Sequence, residues 1–172
     1  STHLCTNLNI LDVGCGGGLW CEPVSRLGGN VTGIDVSENA IITAKQHASK
    51  MGLKINYICT SLEELNLKKD FDLIIASEVI EHVLDRKYFL KMIRKISSNK
   101  TSFIFTTINK SIPSLLFGKF AAEYILNLIP KGTHDWEKFV TPQKLYLEAL
   151  ENGIYLNNFS GWTPNIFNKE FN

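Results

Sequence analysis

The chain carries almost no excess charge: 18 Lys and Arg stand against 17 Asp and Glu in 172 residues, a net charge of +1. That balance excludes a nucleic-acid surface held by broad electrostatics. No apolar run reaches the ~18 residues that span a bilayer. Repeats, low-complexity tracts and Gly/Ser linkers are missing as well. Cysteines are few, at Cys5, Cys15, Cys21 and Cys59, and none pairs as C-x-x-C or stands at metal-finger spacing from a histidine. A zinc or disulfide framework is therefore not expected, and reduced thiols in a cytosol-like compartment are. No signal peptide is read at the start. What is present in quantity is apolar residue, 44% of the chain, enough for one full core.

Apolar runs alternate with helical patterns along the sequence. Strands are predicted at 8–13, 30–35, 55–59, 71–76, 102–107 and 154–159. Helices are predicted at 19–27, 39–51 with Ser37 as cap, 85–96, and from Thr141-Pro142 to Gly153. The alternation predicts an α/β fold with a doubly wound, mostly parallel sheet. In such folds ligands sit at the carboxyl ends of the strands, and the informative residues fall there.

Asp12-Val13-Gly14-Cys15-Gly16-Gly17-Gly18 follows the first strand and opens a helix, and Asp35 ends the next strand. Glycines there free the backbone to turn tightly and approach a ligand. A carboxylate one strand over suits a ribose diol. A dinucleotide loop would need glycine where Leu19 stands. The pattern Asp-x-Gly-x-Gly-x-Gly instead resembles the first motif of class I S-adenosylmethionine-dependent methyltransferases, whose loop cradles the methionine part of the ligand. That resemblance implies Asp12 near the ligand's amino group, Asp35 on the ribose, and Thr60-Ser61-Leu62-Glu63 against adenine.

After the fourth strand, Glu78, Glu81 and His82 are spaced i, i+3, i+4 and would share a face on one helical turn. Two carboxylates and an imidazole suit a divalent cation or supply a general base. Glu-His-Val after this strand also occurs in many methyltransferases that bind no metal.

Between the fifth strand and the next helix, residues 111–139 form a long connection. Lys119, Glu123 and Asn127 make a narrow polar stripe on an otherwise apolar helical pattern. Such a helix fits a membrane interface, an apolar pocket roof or plain core packing. Ala122-Glu123-Tyr124-Ile125-Leu126, Pro130-Lys131-Gly132-Thr133-His134-Asp135 and Lys138-Phe139 resemble the ubiquinone-biosynthesis O-methyltransferases. So do the glycine loop, Val31–Asp35, Glu78–Val83 and, less closely, Thr107–Lys110. The likeness covers nearly the whole chain.

It implies a single methyltransferase domain over 1–172, with 111–139 as an amphipathic insertion. The family's N-terminal segment, with its cofactor-touching Arg, and its final strand would be missing. The implied reaction is O-methylation of a polyprenylated catechol. The implied cofactor site is Asp12, Gly14, Gly16, Asp35, Ser61, Leu62 and Ser77, which would bind S-adenosylmethionine. The implied Mg2+ ligands are Glu78, Glu81 and His82, and the catalytic bases His82 or His134. Membrane contact through 112–131, with Lys131 near anionic headgroups, and a place in a membrane-associated biosynthetic complex follow. So does a cytoplasmic site peripheral to the inner membrane, or the mitochondrial matrix face. Two other readings stand beside it: a methyltransferase for another small phenol or lipid, and a non-catalytic cofactor-binding module.

Overall fold

The computed structural model describes residues 4–66, 70–107 and 140–161, and the backbone at 164–165 and 170–171. The elements in chain order are β1 (Asn9–Val13), α1 (Cys21–Arg26), β2 (Asn30–Asp35), α2 (Glu38–Lys50), β3 (Asn56–Cys59), β4 (Leu73–Ser77), α3 (Arg86–Lys95), β5 (Ser102–Thr106), α4 (Pro142–Glu151), β6 (Pro164–Asn165) and β7 (Glu170–Phe171).

Five strands form one sheet in the order β3-β2-β1-β4-β5, and every pairing is parallel. Parallel neighbours need crossover helices, and these cover both faces. The strands read accordingly. In β1, Ile10 faces one core and Leu11 and Val13 the other; in β4, Ile75 faces the first and Ile74 and Ala76 the second. Ile10, Leu11 and Ile74 are fully enclosed, each burial contributing about 1.5–3 kcal/mol. One core holds Ile41, Ala44 and Ala48 of α2. The other holds Phe89, Leu90 and Ile93 of α3 with Leu145 and Ala149 of α4.

Helix starts follow local chemistry. Ser37 Oγ accepts the Ala40 N–H, Asp85 Oδ1 the Tyr88 N–H and Thr141 Oγ1 the Lys144 N–H. Each satisfies an amide that has no intrahelical partner. Pro142 opens α4, where its missing N–H costs nothing.

Two expectations change. Residues 154–159, read as a strand, run without sheet pairing. Ile154 is enclosed in the core and Leu156 packs against it, while Tyr155 and Phe159 are mostly exposed; the run gains packing but no ladder. The short antiparallel pair β6–β7 lies beyond it. Residues 78–82, read as a helical turn that would align Glu78, Glu81 and His82, form a bend and a turn, while α3 begins at Arg86 behind its Asp85 cap, close to the start expected at Asp85. The cap side chain bonds the backbone from an extended conformation, which stops the helix from extending backward.

Candidate cofactor site

The strand order reverses between β1 and β4, so a crevice opens there at the carboxyl edge. The glycine loop, Asp35, Ser77 and the turn after β4 all stand on that edge.

The glycines are not equivalent. Gly14 has φ +69°, and a Cβ on it would lie 2.4 Å from Val79 Cγ2. Gly18 has φ +90°, and its Cβ would lie 2.2 Å from the Tyr57 hydroxyl. The protein's own neighbours demand glycine at both positions. At Gly16 and Gly17 a Cβ would meet nothing within 4 Å: this is the part of the loop that faces open space.

Asp35 fixes that part. Its Oδ2 accepts the Gly16 N–H at 2.9 Å and its Oδ1 the Ser37 N–H at 2.8 Å. The Asp35 carbonyl accepts the Thr60 N–H at 3.0 Å. One residue thereby ties the ends of β1, β2 and β3 together, and each carboxylate oxygen keeps acceptor capacity for a ligand hydroxyl.

Asp12 lies deeper, 2% exposed, and accepts the Cys21 S–H at 3.1 Å. Burial pushes its carboxyl up to about 6; the thiol bond opposes this and the Asp35 charge adds to it. Ser61 stands on the turn after β3, its hydroxyl accepting the Glu64 N–H. Leu62 turns its side chain into the core at 5% exposure, which leaves only its backbone for the adenine contact that the resemblance implies.

On the other side of the crevice the contacts run between side chains. Ser77 Oγ lies 2.8 Å from Thr106 Oγ1, and the Thr106 hydroxyl donates to Glu78 Oε1 at 2.8 Å. Trp20 Nε1–H donates to Ser77 Oγ at 2.9 Å. Neither Trp20 nor Thr106 was singled out in the sequence. Trp20 reads as part of the helix predicted at 19–27, and Thr106 reads as plain strand.

The proposed metal ligands do not converge. Glu81 is 2% exposed, and its Oε2 accepts the Thr107 hydroxyl at 3.0 Å. Its Oε1 is buried without a partner among the described residues. Glu78, at φ +55°, and His82 are exposed. A turn replaces the helical face that would have aligned them. Among the described residues no group of three His, Cys, Asp or Glu side chains is gathered to hold a cation. These residues do not fit the Mg2+ that the resemblance implies, and no step is routed through it. All four cysteines are free thiols. His134 and the 111–139 insertion, including the 112–131 segment and Lys131, lie outside the described residues.

A glycine loop on β1, a carboxylate ending β2 and a crevice at the strand reversal define a nucleoside-binding methyltransferase fold. The profile of the family described as a methyltransferase domain matches residues 11–105. A solved plantazolicin methyltransferase in complex with a monoazolic desmethylPZN analogue and S-adenosylhomocysteine (SAH) superposes with a TM-score of 0.67 at 26% identity, over 82% of this chain and 53% of that one. A ubiquinone biosynthesis O-methyltransferase of Pelagibacter ubique is 44% identical over 96% of this chain and 69% of its own length. One from Bradyrhizobium diazoefficiens is 42% identical over 90% of this chain and 61% of its length. The chain belongs to the ubiquinone biosynthesis O-methyltransferase family, and it spans about two thirds of the length of these relatives.

Proposed function

We propose that the protein is an S-adenosylmethionine-dependent O-methyltransferase acting on a polyprenylated catechol in ubiquinone biosynthesis. The observation that carries this reading is the open loop face at Gly16 and Gly17, with its amide locked to Asp35. The cofactor supplies a methyl group on a sulfonium, a leaving group that needs no acid. The residues therefore have positioning and proton transfer to perform. Asp35 and the Gly16 backbone hold the ribose side. Asp12, at the base of the loop, offers negative charge toward the amino end. Ser77 closes the β4 side. Alignment of two bound reactants accounts for much of the rate.

A catechol is mostly protonated at neutral pH, so a base must take its proton. His82, exposed on the turn after β4, is the described residue for that role; His134 is the second candidate. The test is calorimetry with SAH, followed by methyl transfer to a short-prenyl catechol. SAH binding with turnover that His82→Ala abolishes is expected. SAH binding without turnover by the full-length protein, on any prenylated or soluble catechol, would favour the non-catalytic module.

Contact with a lipid surface through 112–131, and with it a peripheral-membrane location and a place in a biosynthetic complex, is part of the same reading. Its support is the apolar pattern beside Lys131. No helix among the described residues is long and apolar enough to cross a membrane. Liposome co-sedimentation that Phe120→Glu with Ile125→Glu leaves unchanged would reject surface contact.

A further inference from the structure

Trp20 ends the glycine loop immediately before α1, with 45% of its surface in water. Its side-chain hydrogen bond reaches across the molecule rather than along the chain. The indole N–H donates to Ser77 Oγ at 2.9 Å, 57 residues away. Ser77 is the last residue of β4, and Trp20 belongs to the loop that follows β1. The bond therefore bridges β1 and β4 at the crevice where strand order reverses.

The direction of the network behind it is fixed by chemistry. An indole N–H only donates and a carboxylate oxygen only accepts. Ser77 accepts from Trp20 and donates to Thr106, which donates to Glu78. Each proton is used once, so among the described residues the side-chain donor to Ser77 Oγ is the indole.

We infer that Trp20 is a latch on the cofactor crevice. The indole leaves Ser77 to admit the cofactor and returns to wall in its methionine end. This rests on the cofactor reading above. Two properties suit the residue to the task. An aromatic face attracts a cation such as a sulfonium, and a large ring at the mouth excludes water from the transferring methyl. The hydrogen bond sets the closed position but is a single neutral contact, weak enough to open repeatedly.

The experiment measures association and dissociation of SAH by surface plasmon resonance on the wild-type chain, Trp20→Ala, Trp20→Phe, Ser77→Ala and the Trp20→Phe/Ser77→Ala pair. Trp20→Ala is expected to dissociate at least about tenfold faster and to associate faster too, so that Kd moves less than the off-rate. A merely structural role would not raise both rates. Trp20→Phe keeps the ring without the N–H and covers the case in which the alanine variant fails to fold. It and Ser77→Ala should each dissociate a few-fold faster. The pair should be no faster than the quicker of the two, because Trp20→Phe removes only the Trp20–Ser77 bond, which Ser77→Ala already removes together with the Ser77–Thr106 bond. Dissociation within twofold of wild type in Trp20→Ala and in Trp20→Phe, or effects that multiply in the pair, would overturn the latch. Absence of SAH binding by the wild-type chain would instead overturn the cofactor reading, and the latch with it.

Discussion

The two sides of the crevice are held by different kinds of contact. On the β1–β2 side, backbone does the work: glycines at φ +69° and +90° press against Val79 and Tyr57, and Asp35 is pinned by two amide N–H groups. On the β4–β5 side, hydroxyls, an indole and carboxylates bond one another: Trp20 with Ser77, Ser77 with Thr106, Thr106 with Glu78, and Thr107 with Glu81. Backbone geometry admits little variation, because a Cβ or a lost amide acts at once on the chain path. Side-chain networks can be rebuilt one residue at a time. The first kind suits an invariant ligand part and the second a part that must open, close or adapt.

The largest effect that would sharpen this contrast comes from two glycine substitutions. Gly18→Ala is expected to cost about 2–5 kcal/mol in urea unfolding, from positive φ and the Tyr57 clash together. Gly16→Ala, which meets open space, should cost only about 1–2 kcal/mol while still abolishing measurable SAH binding. Equal stability losses would break the division between packing glycines and the ligand-facing one.

Asp12→Asn comes next, and its sign is opposite. The folded carboxyl titrates at about 6 against 3.8 as its ordinary value. Its ionised form is disfavoured in the fold, so stability falls as pH rises from about 4 through 6. The cost at pH 7 is about 3 kcal/mol at 1.36 kcal/mol per unit. The amide removes that cost. Asp12→Asn should unfold at higher urea than wild type at pH 7, with the gain gone at pH 4. The same gain at both values would mean that burial of the charge is not the cause.

Asp35→Ala follows. Loss of hydrogen bonds to a charged acceptor, about 1.5–3 kcal/mol, should weaken SAH about 10–150-fold by calorimetry. Unchanged affinity would remove Asp35 from the site. The smallest effect is on the β4–β5 side. Thr107→Val removes the hydroxyl that donates to buried Glu81 and should cost about 1.5 kcal/mol. A loss as large as that of Gly18→Ala would erase the difference between the two sides.

The β1–β2 side was legible in the sequence because its signals are local. A Gly-x-Gly-x-Gly run after an apolar strand has few other backbone solutions, and Asp35 follows directly from the end of the next strand. The cap at Ser37 was equally readable, since a cap binds amides three residues away, and the helix starts read at Asp85 and Thr141 prove to be caps as well. The β4–β5 side was less so. Spacing i, i+3, i+4 places Glu78, Glu81 and His82 together only if the backbone is helical, and here it turns. Trp20 and Ser77 meet from 57 positions apart, a separation that no spacing rule reaches.

By itself, then, the order of residues determined the alternating elements, the sheet class and the glycine loop at the carboxyl edge, because periodicity, glycine φ freedom and capping act over a few residues. Which glycines are packed and which is open, how strongly Asp12 resists ionising, and which side chains bridge the crevice were decided by tertiary structure. Those properties depend on what lies within a few ångströms in space, and strand order β3-β2-β1-β4-β5 is what brings those neighbours there.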